Sequence, residues 1–306
     1  MAEEETTQYF SKDFKWEDLR EEIERDPSLR HHLLSFDPFS TLSPPSSKNY
    51  SEAWRGFHHR HSTGRFFKER RYLLKEFPEL LHCCDGGGDG EFFKVLEVGC
   101  GNGSTVLPIL RGNQSIIVYA CDCSTEALER ANKMIEATVE VSIKQRFHPF
   151  FCDLSRSGFP NWLICSKENT EIYSKDTPQS QSCVGGVDFV TLIFTLSAVP
   201  FQSMPTAIAE CKSALKPGGL LLFRDYGLYD MTMLRFQPDK RMGFREYMRF
   251  DGTRSYFFCL ETMRELFIGV GFIELELEYC CVKSVNRRNG KKMRRVWVHG
   301  KFQKPI

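Results

Sequence analysis

The sequence contains no Cys-x-x-Cys pair, although it has 12 cysteines. Most of these cysteines stand singly within apolar runs, and two pairs are adjacent in the chain. Zinc sites usually draw on closely spaced Cys and His ligands, so this spacing argues against zinc and we expect no metal. Nothing in the pattern resembles a secreted disulfide framework, and we therefore expect free thiols.

The chain also lacks a hydrophobic run long enough to cross a bilayer. Its longest apolar stretch, FVTLIFTLSAVPF, covers residues 189–201, whereas a membrane helix needs about 20 apolar residues. The first residues, MAEEETTQYF, show the features of neither a secretory signal nor a mitochondrial transit peptide. We expect no membrane partner and a cytoplasmic location, with the nucleus as a second compartment left open.

The net charge of +1 hides an uneven distribution along the chain. Residues 1–26 carry ten acids against four Lys or Arg residues. Residues 54–75 carry seven Lys or Arg and three His against one acid, and residues 283–304 carry nine Lys or Arg and no acid. Such segments are typical of polyanion-binding surfaces, although a solvated basic surface has the same composition.

The first 90 residues predict two units that precede the main domain. Residues 1–49 form an N-terminal arm, partly disordered, with a helix at 16–26. Residues 50–90 form a basic and aromatic segment with a helix from about 66 to 81, followed by a glycine-rich linker.

From residue 91 to 306, apolar strands alternate with amphipathic helices, apart from a polar insertion at 166–184. This alternation predicts a parallel sheet with helices on both faces, and the last two strands read as an antiparallel hairpin. The fold class is therefore α/β, a seven-stranded Rossmann-like sheet with antiparallel C-terminal strands. The strands are predicted at 92–99, 116–122, 146–154, 187–197, 219–227, 273–285 and 293–304.

A glycine motif follows the first of these strands. The run from Glu97 to Gly103 reads EVGCGNG, with glycines at Gly99, Gly101 and Gly103. Glycines at the carboxyl end of the first strand let the backbone approach a ligand closely. The spacing is GxGxG and differs from the GxGxxG of dinucleotide-binding enzymes. We infer a site for S-adenosylmethionine, and a plain tight turn is the alternative.

Acidic residues end the next two strands. Asp122 is placed to accept hydrogen bonds from a ribose, although it or Ser124 could instead cap the next helix. Asp153 is placed to accept from an adenine amino group, with the following amide serving a ring nitrogen, although a turn aspartate fits equally. Ile193 or Phe194 would lie under the cofactor, unless both belong to the core.

Two signatures of base methylation are missing. The fourth strand ends TLIFTLSAVPF, without the Asn-Pro-Pro-aromatic sequence used for exocyclic amines. No cysteine follows a proline or lies in a nucleophile-like loop, so attack at carbon 5 of cytosine is not expected.

Long motifs give the chain a more specific resemblance. It is similar from Trp54 onward to the methyltransferase-like tRNA N3-methylcytidine methyltransferases, which act on cytidine 32 of the anticodon loop. The stretches that carry the resemblance are W-x-x-F…FFKER, LEVGCGNG, YACDCS, CDL, LIFTLSAV, LKPGG, FRDYGLYDMTMLRF and DGTRSYFF. The last two motifs are not general to methyltransferases, so the resemblance is specific.

The resemblance implies S-adenosylmethionine as cofactor and assigns the residues that contact it. His58 stands where a related enzyme has Tyr. The implied cofactor residues are Trp54, His58, Gly99, Gly101, Asp122, Asp153, Leu154 and Ile193.

For the substrate, the resemblance places Arg224, Asp225 and Tyr226 around the target base as catalytic residues. Cytosine N3 already carries a lone pair, so catalysis is expected to rest on positioning and electrostatics, with Asp225 stabilising the cationic product. Leu228 and Ser255 favour the serine-tRNA branch, with seryl-tRNA synthetase as the implied partner. The threonine and arginine branches stay open.

The resemblance implies that the segment 50–90 caps the cofactor and contacts RNA. Basic and aromatic residues are expected to hold the tRNA, largely through its phosphates. They are Arg60, Arg65, Lys68, Arg70, Arg254, Tyr256, Arg287, Arg288, Lys291 and Lys292. Two alternatives remain on the sequence alone: a small-molecule methyltransferase, and an RNA-binding scaffold with weak or lost turnover.

Overall fold

A computed structural model gives the fold, and its described residues are 12–34, 50–61, 69–82, 92–164, 183–285, 290 and 292–306. Several predictions fall outside these ranges: Arg65, Lys68, Arg287, Arg288, Lys291, and residues 166–182 of the insertion.

The centre of the molecule is a seven-stranded sheet in the order β3-β2-β1-β4-β5-β10-β9. Strands β1 to β5 pair in parallel, and β10 runs antiparallel to both β5 and β9. This order confirms the predicted fold class. The strands are β1 (Phe93–Val98), β2 (Ile116–Asp122), β3 (Phe147–Phe151), β4 (Val187–Ile193), β5 (Leu215–Tyr226), β9 (Ile273–Val285) and β10 (Lys292–Gln303).

Helices cover both faces of this sheet because the central strands are apolar on both sides. One apolar cluster joins β1 and β2 to the helices that follow them, and a second joins β4 and β5 to the helices of the C-terminal half. The helices of the main domain are α5 (Val106–Gly112), α6 (Thr125–Glu136), α7 (Val141–Gln145), α8 (Asn161–Ile164), α9 (Met204–Ala214) and α10 (Leu260–Gly269).

A small antiparallel sheet stands after β5 in the chain and is covered by the N-terminal helix. Its strands are β6 (Arg241–Gly243), β7 (Glu246–Met248) and β8 (Arg254–Tyr256), and the helix is α1 (Trp16–Arg25). The Trp16 ring stacks between Tyr229, at 5.8 Å, and Tyr279, at 4.7 Å. Its Nε1 donates a hydrogen bond to the Leu228 carbonyl at 3.1 Å. The helical part of the arm is thus packed into the domain.

The residues before α1 also cover the outer edge of the main sheet. The Asp13 amide donates to the Cys281 carbonyl at 2.9 Å, and the Lys283 amide donates to Asp13 Oδ2 at 2.7 Å. Cys281 and Lys283 belong to β9, whose outer edge would otherwise present unpaired backbone groups. The arm therefore occupies part of this edge.

The segment predicted as one helix at 66–81 differs from expectation. Its described part holds two short helices, α3 (Leu73–Glu76) and α4 (Glu79–His82), which follow α2 (Tyr50–Arg60) in the chain. Pro78 separates them, because a proline has no amide hydrogen to continue a helix.

The cysteines of the described residues are mostly free thiols. Eight described cysteines are free thiols, whereas Cys183 is disulfide-bonded, so the expectation of free thiols is wrong at that position. In the described ranges, the helices fall short of the length and hydropathy of a membrane span. Within those ranges, no three His, Cys, Asp or Glu side chains are grouped as metal ligands.

Helix α1 is expected to contribute to the stability of the whole domain. Leu19 is 1% exposed, so Leu19→Ala should lower the free energy of unfolding by about 2–5 kcal/mol through lost burial and an unfilled cavity. Denaturant unfolding measures this loss. The exposed neighbour Asp18 is the control, and Asp18→Ala should change stability by about 0.5 kcal/mol or less. Equal effects of the two substitutions would mean that α1 does not pack on the domain in solution.

Candidate active site

Three glycines of the loop after β1, Gly99, Gly101 and Gly103, have positive φ, and the first two differ in what surrounds them. Gly99 has φ +70°, and a Cβ there would lie 2.5 Å from the side chain of Thr195. Gly101 has φ +54°, and among the described residues a Cβ there would meet only His58 Cε1, at 3.9 Å. Gly99 therefore permits close packing against the end of β4, whereas Gly101 faces the space in which a ligand would lie.

Asp122 ties this loop to the end of β2. Its Oδ2 accepts a hydrogen bond from the Gly101 amide at 2.9 Å, and its Oδ1 accepts from the Ser124 amide at 3.0 Å. Each carboxylate oxygen has a second lone pair, which suits it to a ribose hydroxyl. The cap of α6 is Ser124, whose Oγ accepts from the Ala127 amide at 3.2 Å. Asp122 is thus left to shape the loop.

Asp153 lies beside Asp122, because the Cys152 amide donates to the Asp122 carbonyl at 3.1 Å. Asp153 Oδ1 accepts from the Ser155 amide and hydroxyl, at 3.2 Å and 2.6 Å. Its Oδ2 is buried and lacks a hydrogen-bond partner within the described part of the molecule. A buried acceptor of this kind calls for a donor, and the amino group of adenine is one. The half-buried Leu154 follows it, so the residues present fit the adenosine of S-adenosylmethionine.

Helix α2 closes the loop from the other side. It carries His58, whose ring approaches Gly101, and Trp54, whose ring centre lies 6.2 Å from that of His58. Arg130 Nη1 of α6 donates to the His58 carbonyl at 2.6 Å and so fastens α2 in place. Burial lowers the pKa of His58, the nearby Asp122 opposes this shift, and Arg130 adds to it. The structure therefore brings His58 to the loop as a neutral, enclosed ring.

Arg70 lies at the same loop, away from the surface position that its assignment to RNA binding predicts. Its Nη1 donates to Thr105 Oγ1 at 3.2 Å and to the Ile193 carbonyl at 3.5 Å. Its guanidinium lies 5.3 Å from the ring centre of Phe194, a residue with φ +54°. Arg70 thus connects the start of α5 with the end of β4, next to the predicted cofactor residue Ile193.

Glu97 is buried within β1, directly before the glycine loop. Its Oε2 accepts a short hydrogen bond from the Thr191 hydroxyl. Burial raises the pKa of Glu97 to about 7, while this hydrogen bond and the charge of Arg70 limit the rise. Glu97 is therefore an enclosed carboxyl whose pKa lies close to neutral pH.

The predicted catalytic residue Arg224 is buried in an ion pair and does not face an opening. Its Nη1 lies 2.5 Å from Glu76 Oε2, and its guanidinium lies 4.4 Å from the Trp297 ring centre. Glu76 also contacts His299 Nδ1 at 3.1 Å through its other oxygen. These contacts occupy the charge of Arg224 in anchoring α3 to the sheet, and its assignment to the target base stays a prediction.

Asp225 projects to the opposite face of β5 from Arg224, because side chains alternate along a strand. Its Oδ2 accepts from the Ser197 amide at 2.9 Å, and its Oδ1 accepts from the Tyr226 amide at 2.8 Å. The carboxyl is fully enclosed. Burial raises the pKa of Asp225 to about 6, although these hydrogen bonds and Arg249 oppose the shift.

Tyr226 is half-buried and borders three other side chains. Its ring centre lies 5.2 Å from Phe194, 5.7 Å from Phe257 and 5.8 Å from the guanidinium of Arg249. Arg249 Nη2 also lies 3.5 Å from the Tyr226 hydroxyl. The sequence prediction missed Arg249, for which the only signal was its place just before the motif DGTRSYFF.

The remaining predicted RNA residues divide into exposed and enclosed ones. Arg60 is exposed and donates from Nη2 to the Asp251 carbonyl at 3.1 Å, and Lys292 is also exposed. Arg254 is buried in an ion pair with Glu246 at 3.0 Å. Tyr256 is buried and stacks on Phe201 at 5.1 Å. Arg254 and Tyr256 thus support the small sheet, and their assignment to RNA binding stays a prediction.

The two glycines of the loop should respond differently to alanine. Gly99→Ala is expected to destabilise the ligand-free protein strongly, because positive φ costs about 1–2 kcal/mol and the methyl group overlaps Thr195. Gly101→Ala should add only the conformational cost while lowering S-adenosylmethionine affinity about tenfold or more. Denaturant unfolding and calorimetric titration separate these effects. Gly269→Ala, where a Cβ meets nothing within 4 Å, is the control, and unchanged affinity in Gly101→Ala would contradict the assignment.

Glu97 should make stability depend on pH. Its carboxyl has a pKa of about 7 in the folded protein against an ordinary value of 4.5, so the folded state retains the proton to higher pH. The stability that this contributes is present below pH 4.5 and is lost as the pH rises through about 7. The free energy of unfolding of Glu97→Gln should therefore rise relative to that of the wild type, by about 3 kcal/mol between pH 4.5 and 8. Denaturation curves that run parallel across this range would disprove the buried titration.

Comparison with known proteins agrees with this geometry. A family model described as a methyltransferase domain matches residues 57–276. The tRNA N(3)-cytidine methyltransferase METTL6 of Rattus norvegicus is 36% identical over 285 residues, which cover 93% of this chain and 87% of the relative. The tRNA N(3)-methylcytidine methyltransferase Mettl2 of Drosophila melanogaster is 35% identical over 257 residues, covering 83% of this chain and 71% of the relative.

Among solved structures, the 1,6-didemethyltoxoflavin-N1-methyltransferase of Burkholderia thailandensis, with S-adenosylhomocysteine bound, is similar in fold. It is 13% identical, with a TM-score of 0.54 over 87% of this chain and 94% of that chain. The fold, the cofactor loop and the curated relatives lead to one conclusion. This chain belongs to the family of tRNA N(3)-cytidine methyltransferases and is an S-adenosylmethionine-dependent enzyme.

Proposed function

We propose that this methyltransferase modifies N3 of cytidine 32 in the anticodon loop of serine tRNA. The observation that carries the proposal is the enclosed carboxyl of Asp225 next to the half-buried ring of Tyr226, where β5 ends. Strand β4 ends alongside, at Ile193 near the cofactor loop. An acid and an aromatic ring beside the cofactor suit a base that becomes positively charged during the reaction.

Methylation at N3 requires no proton transfer by the protein before the methyl group is attacked. Cytosine N3 has a lone pair and needs no base to remove a proton, so orientation and electrostatics carry catalysis. Bound S-adenosylmethionine supplies an electrophilic methyl group on its sulfonium. Asp225, with a pKa of about 6, is mainly ionised at neutral pH and stabilises the cationic product through its field. Its hydrogen bonds to the Ser197 and Tyr226 amides hold that charge in a fixed place.

The target base has to leave its stack in the RNA loop before it can reach the methyl group. We assign Tyr226 as the ring that stacks on the extruded base, because aromatic rings are the usual platform for unpaired bases. The rings of Phe194 and Phe257 and the guanidinium of Arg249 hold Tyr226 in position. Basic side chains such as Arg60 and Lys292 would then contact phosphates and add affinity independent of sequence.

The choice of serine tRNA rests on Leu228 and Ser255, which are both buried. The Leu228 amide donates to the Phe258 carbonyl at 2.7 Å, and its carbonyl accepts from Trp16. These residues would act on tRNA choice by shaping the small sheet, without touching RNA themselves. Seryl-tRNA synthetase is the proposed partner of this branch, and the cytoplasm, with the nucleus in addition, is the proposed location.

The decisive experiment is nucleoside mass spectrometry of transcribed serine, threonine and arginine tRNAs after incubation with the enzyme and S-adenosylmethionine. We expect 3-methylcytidine in serine tRNA, at a higher rate when seryl-tRNA synthetase is added, and none when cytidine 32 is replaced by uridine. Modification of only the threonine or arginine tRNAs would reassign the branch. Cofactor binding without modification of any of the tRNAs would favour an RNA-binding scaffold or a small-molecule methyltransferase.

Asp225→Asn should lower kcat about 100-fold with saturating tRNA, because the charge that opposes the cationic product is lost while the shape is kept. The exposed Asp239 supplies the control Asp239→Asn, for which we expect wild-type turnover. Single-turnover kinetics with radiolabelled S-adenosylmethionine measures the step directly. Wild-type turnover in Asp225→Asn would remove Asp225 from the mechanism.

A further inference from the structure

Phe250 is 95% exposed, an unusual exposure for a phenylalanine. It occupies the turn between β7 and β8. Scattered exposed apolar residues are common on protein surfaces, so exposure alone assigns no role. Two features distinguish Phe250 from other exposed apolar residues: the hydrogen bonds within its turn and the position of that turn beside the active site.

The turn that presents Phe250 is held by its own hydrogen bonds. The Arg249 amide donates to the Thr253 carbonyl at 2.8 Å, and the Gly252 amide donates to the Arg249 carbonyl at 3.0 Å. Asp251 Oδ1 accepts from the amide and the hydroxyl of Thr253, at 3.0 Å and 2.7 Å. These bonds fix the backbone, so the ring is presented to solvent at a defined place and little backbone order is lost when it binds.

The same turn joins the two halves of the active site. On one side it contacts α2: Arg60 donates to the Asp251 carbonyl, and a Cβ on Gly252 would lie 3.7 Å from that of Ala53. Helix α2 carries the His58 ring that approaches the cofactor loop. On its other side, the turn places Arg249 against Tyr226. Phe250 follows Arg249 directly, and consecutive Cα atoms are about 3.8 Å apart.

Two arginines approach the turn that carries Phe250, which lies between Arg249 and the acid Asp251 in the chain. Arg249 precedes it, and Arg60 reaches across to the next residue, Asp251. Aromatic side chains flanked by arginines are typical of surfaces that bind single-stranded RNA, where the rings stack on bases and the cations face phosphates. An apolar protein partner would fit this ring less well, because the residues on either side of it in the chain, Arg249 and Asp251, are both charged.

We infer that Phe250 is a stacking platform for an unpaired base next to the methylated cytidine. This inference rests on the proposed function, since it requires an RNA loop as substrate. When the target base turns toward Tyr226, its neighbour loses a stacking partner, and the Phe250 ring replaces that partner. The turn thereby holds the loop in the open shape that the reaction requires.

The test compares three substitutions at Phe250 with one at a second exposed phenylalanine. Phe250→Ala removes the ring, Phe250→Leu keeps an apolar group without aromatic character, and Phe250→Trp enlarges the ring. Phe92 is 43% exposed and precedes β1, at the opposite end of that strand from the glycine loop. Phe92→Ala is therefore the matched control.

Methylation kinetics on serine tRNA should show KM for tRNA raised about 5- to 150-fold in Phe250→Ala, the range found for loss of base stacking. Phe250→Leu should behave similarly, and Phe250→Trp should stay near the wild type. The affinity for S-adenosylmethionine should be unchanged in all variants, and Phe92→Ala should match the wild type. Wild-type KM in Phe250→Ala, full rescue by leucine, or an equal loss in Phe92→Ala would each overturn the inference.

A binding measurement separates this inference from the proposed activity. The probe is an anticodon stem-loop RNA with the fluorescent base 2-aminopurine next to cytidine 32. Its fluorescence should change on binding to wild type and Phe250→Trp, and not on binding to Phe250→Ala. If the signal depends on Phe250 but cytidine 32 is never methylated, the proposed function fails and the stacking contact stands. If methylation proceeds and the signal is independent of Phe250, the inference fails and the proposed function stands.

Discussion

The hydrogen bond from the Gly101 amide to Asp122 is the interaction on which the active site depends. Parallel strands bring their carboxyl ends to one edge of a sheet, but this alone leaves the loops between them free to diverge. The Asp122 carboxylate joins the loop after β1 to the end of β2, and the backbone of Asp122 holds Cys152 beside it. Asp153, which follows, is thereby placed at the same edge. One residue, through its side chain and its backbone carbonyl, thus aligns three successive strand ends.

A second set of charges holds the cap of the site against the sheet. Glu76 binds both Arg224 and His299, while Lys301 bridges Glu79 and Glu276 at 2.7 Å and 3.1 Å. Enclosed charges are costly unless each has a partner, and here each has one. The network fixes α3 and α4, and with them the start of the segment in which Arg70 reaches the cofactor loop. Arg224 therefore contributes to the site indirectly, by holding Glu76 and helix α3 in position.

The sequence predicted the elements of the main domain well and the surroundings of individual side chains poorly. Strand β2 and the hairpin of β9 and β10 follow the prediction because their residues are apolar over lengths typical of strands. The predicted helix at 66–81 is interrupted at Pro78, a local signal that was present in the sequence and was overridden by the helical composition around it. Arg254 was assigned to RNA binding, and its burial against Glu246 was not foreseen, because only the folded chain brings these two side chains together. Motifs reveal which residues matter, whereas enclosure arises from contacts between distant parts of the chain.

The packing of Trp16 between Tyr229 and Tyr279 has a consequence for the order of folding. The helix that carries Trp16 is among the first parts made by the ribosome, yet both of its stacking partners lie more than 200 positions later. During synthesis α1 must wait, because its binding surface includes β9, and contacts this distant in sequence form late. The cofactor half can assemble while β9 is still unmade. A nascent or C-terminally truncated chain would thus form its glycine loop before α1 packs against β9.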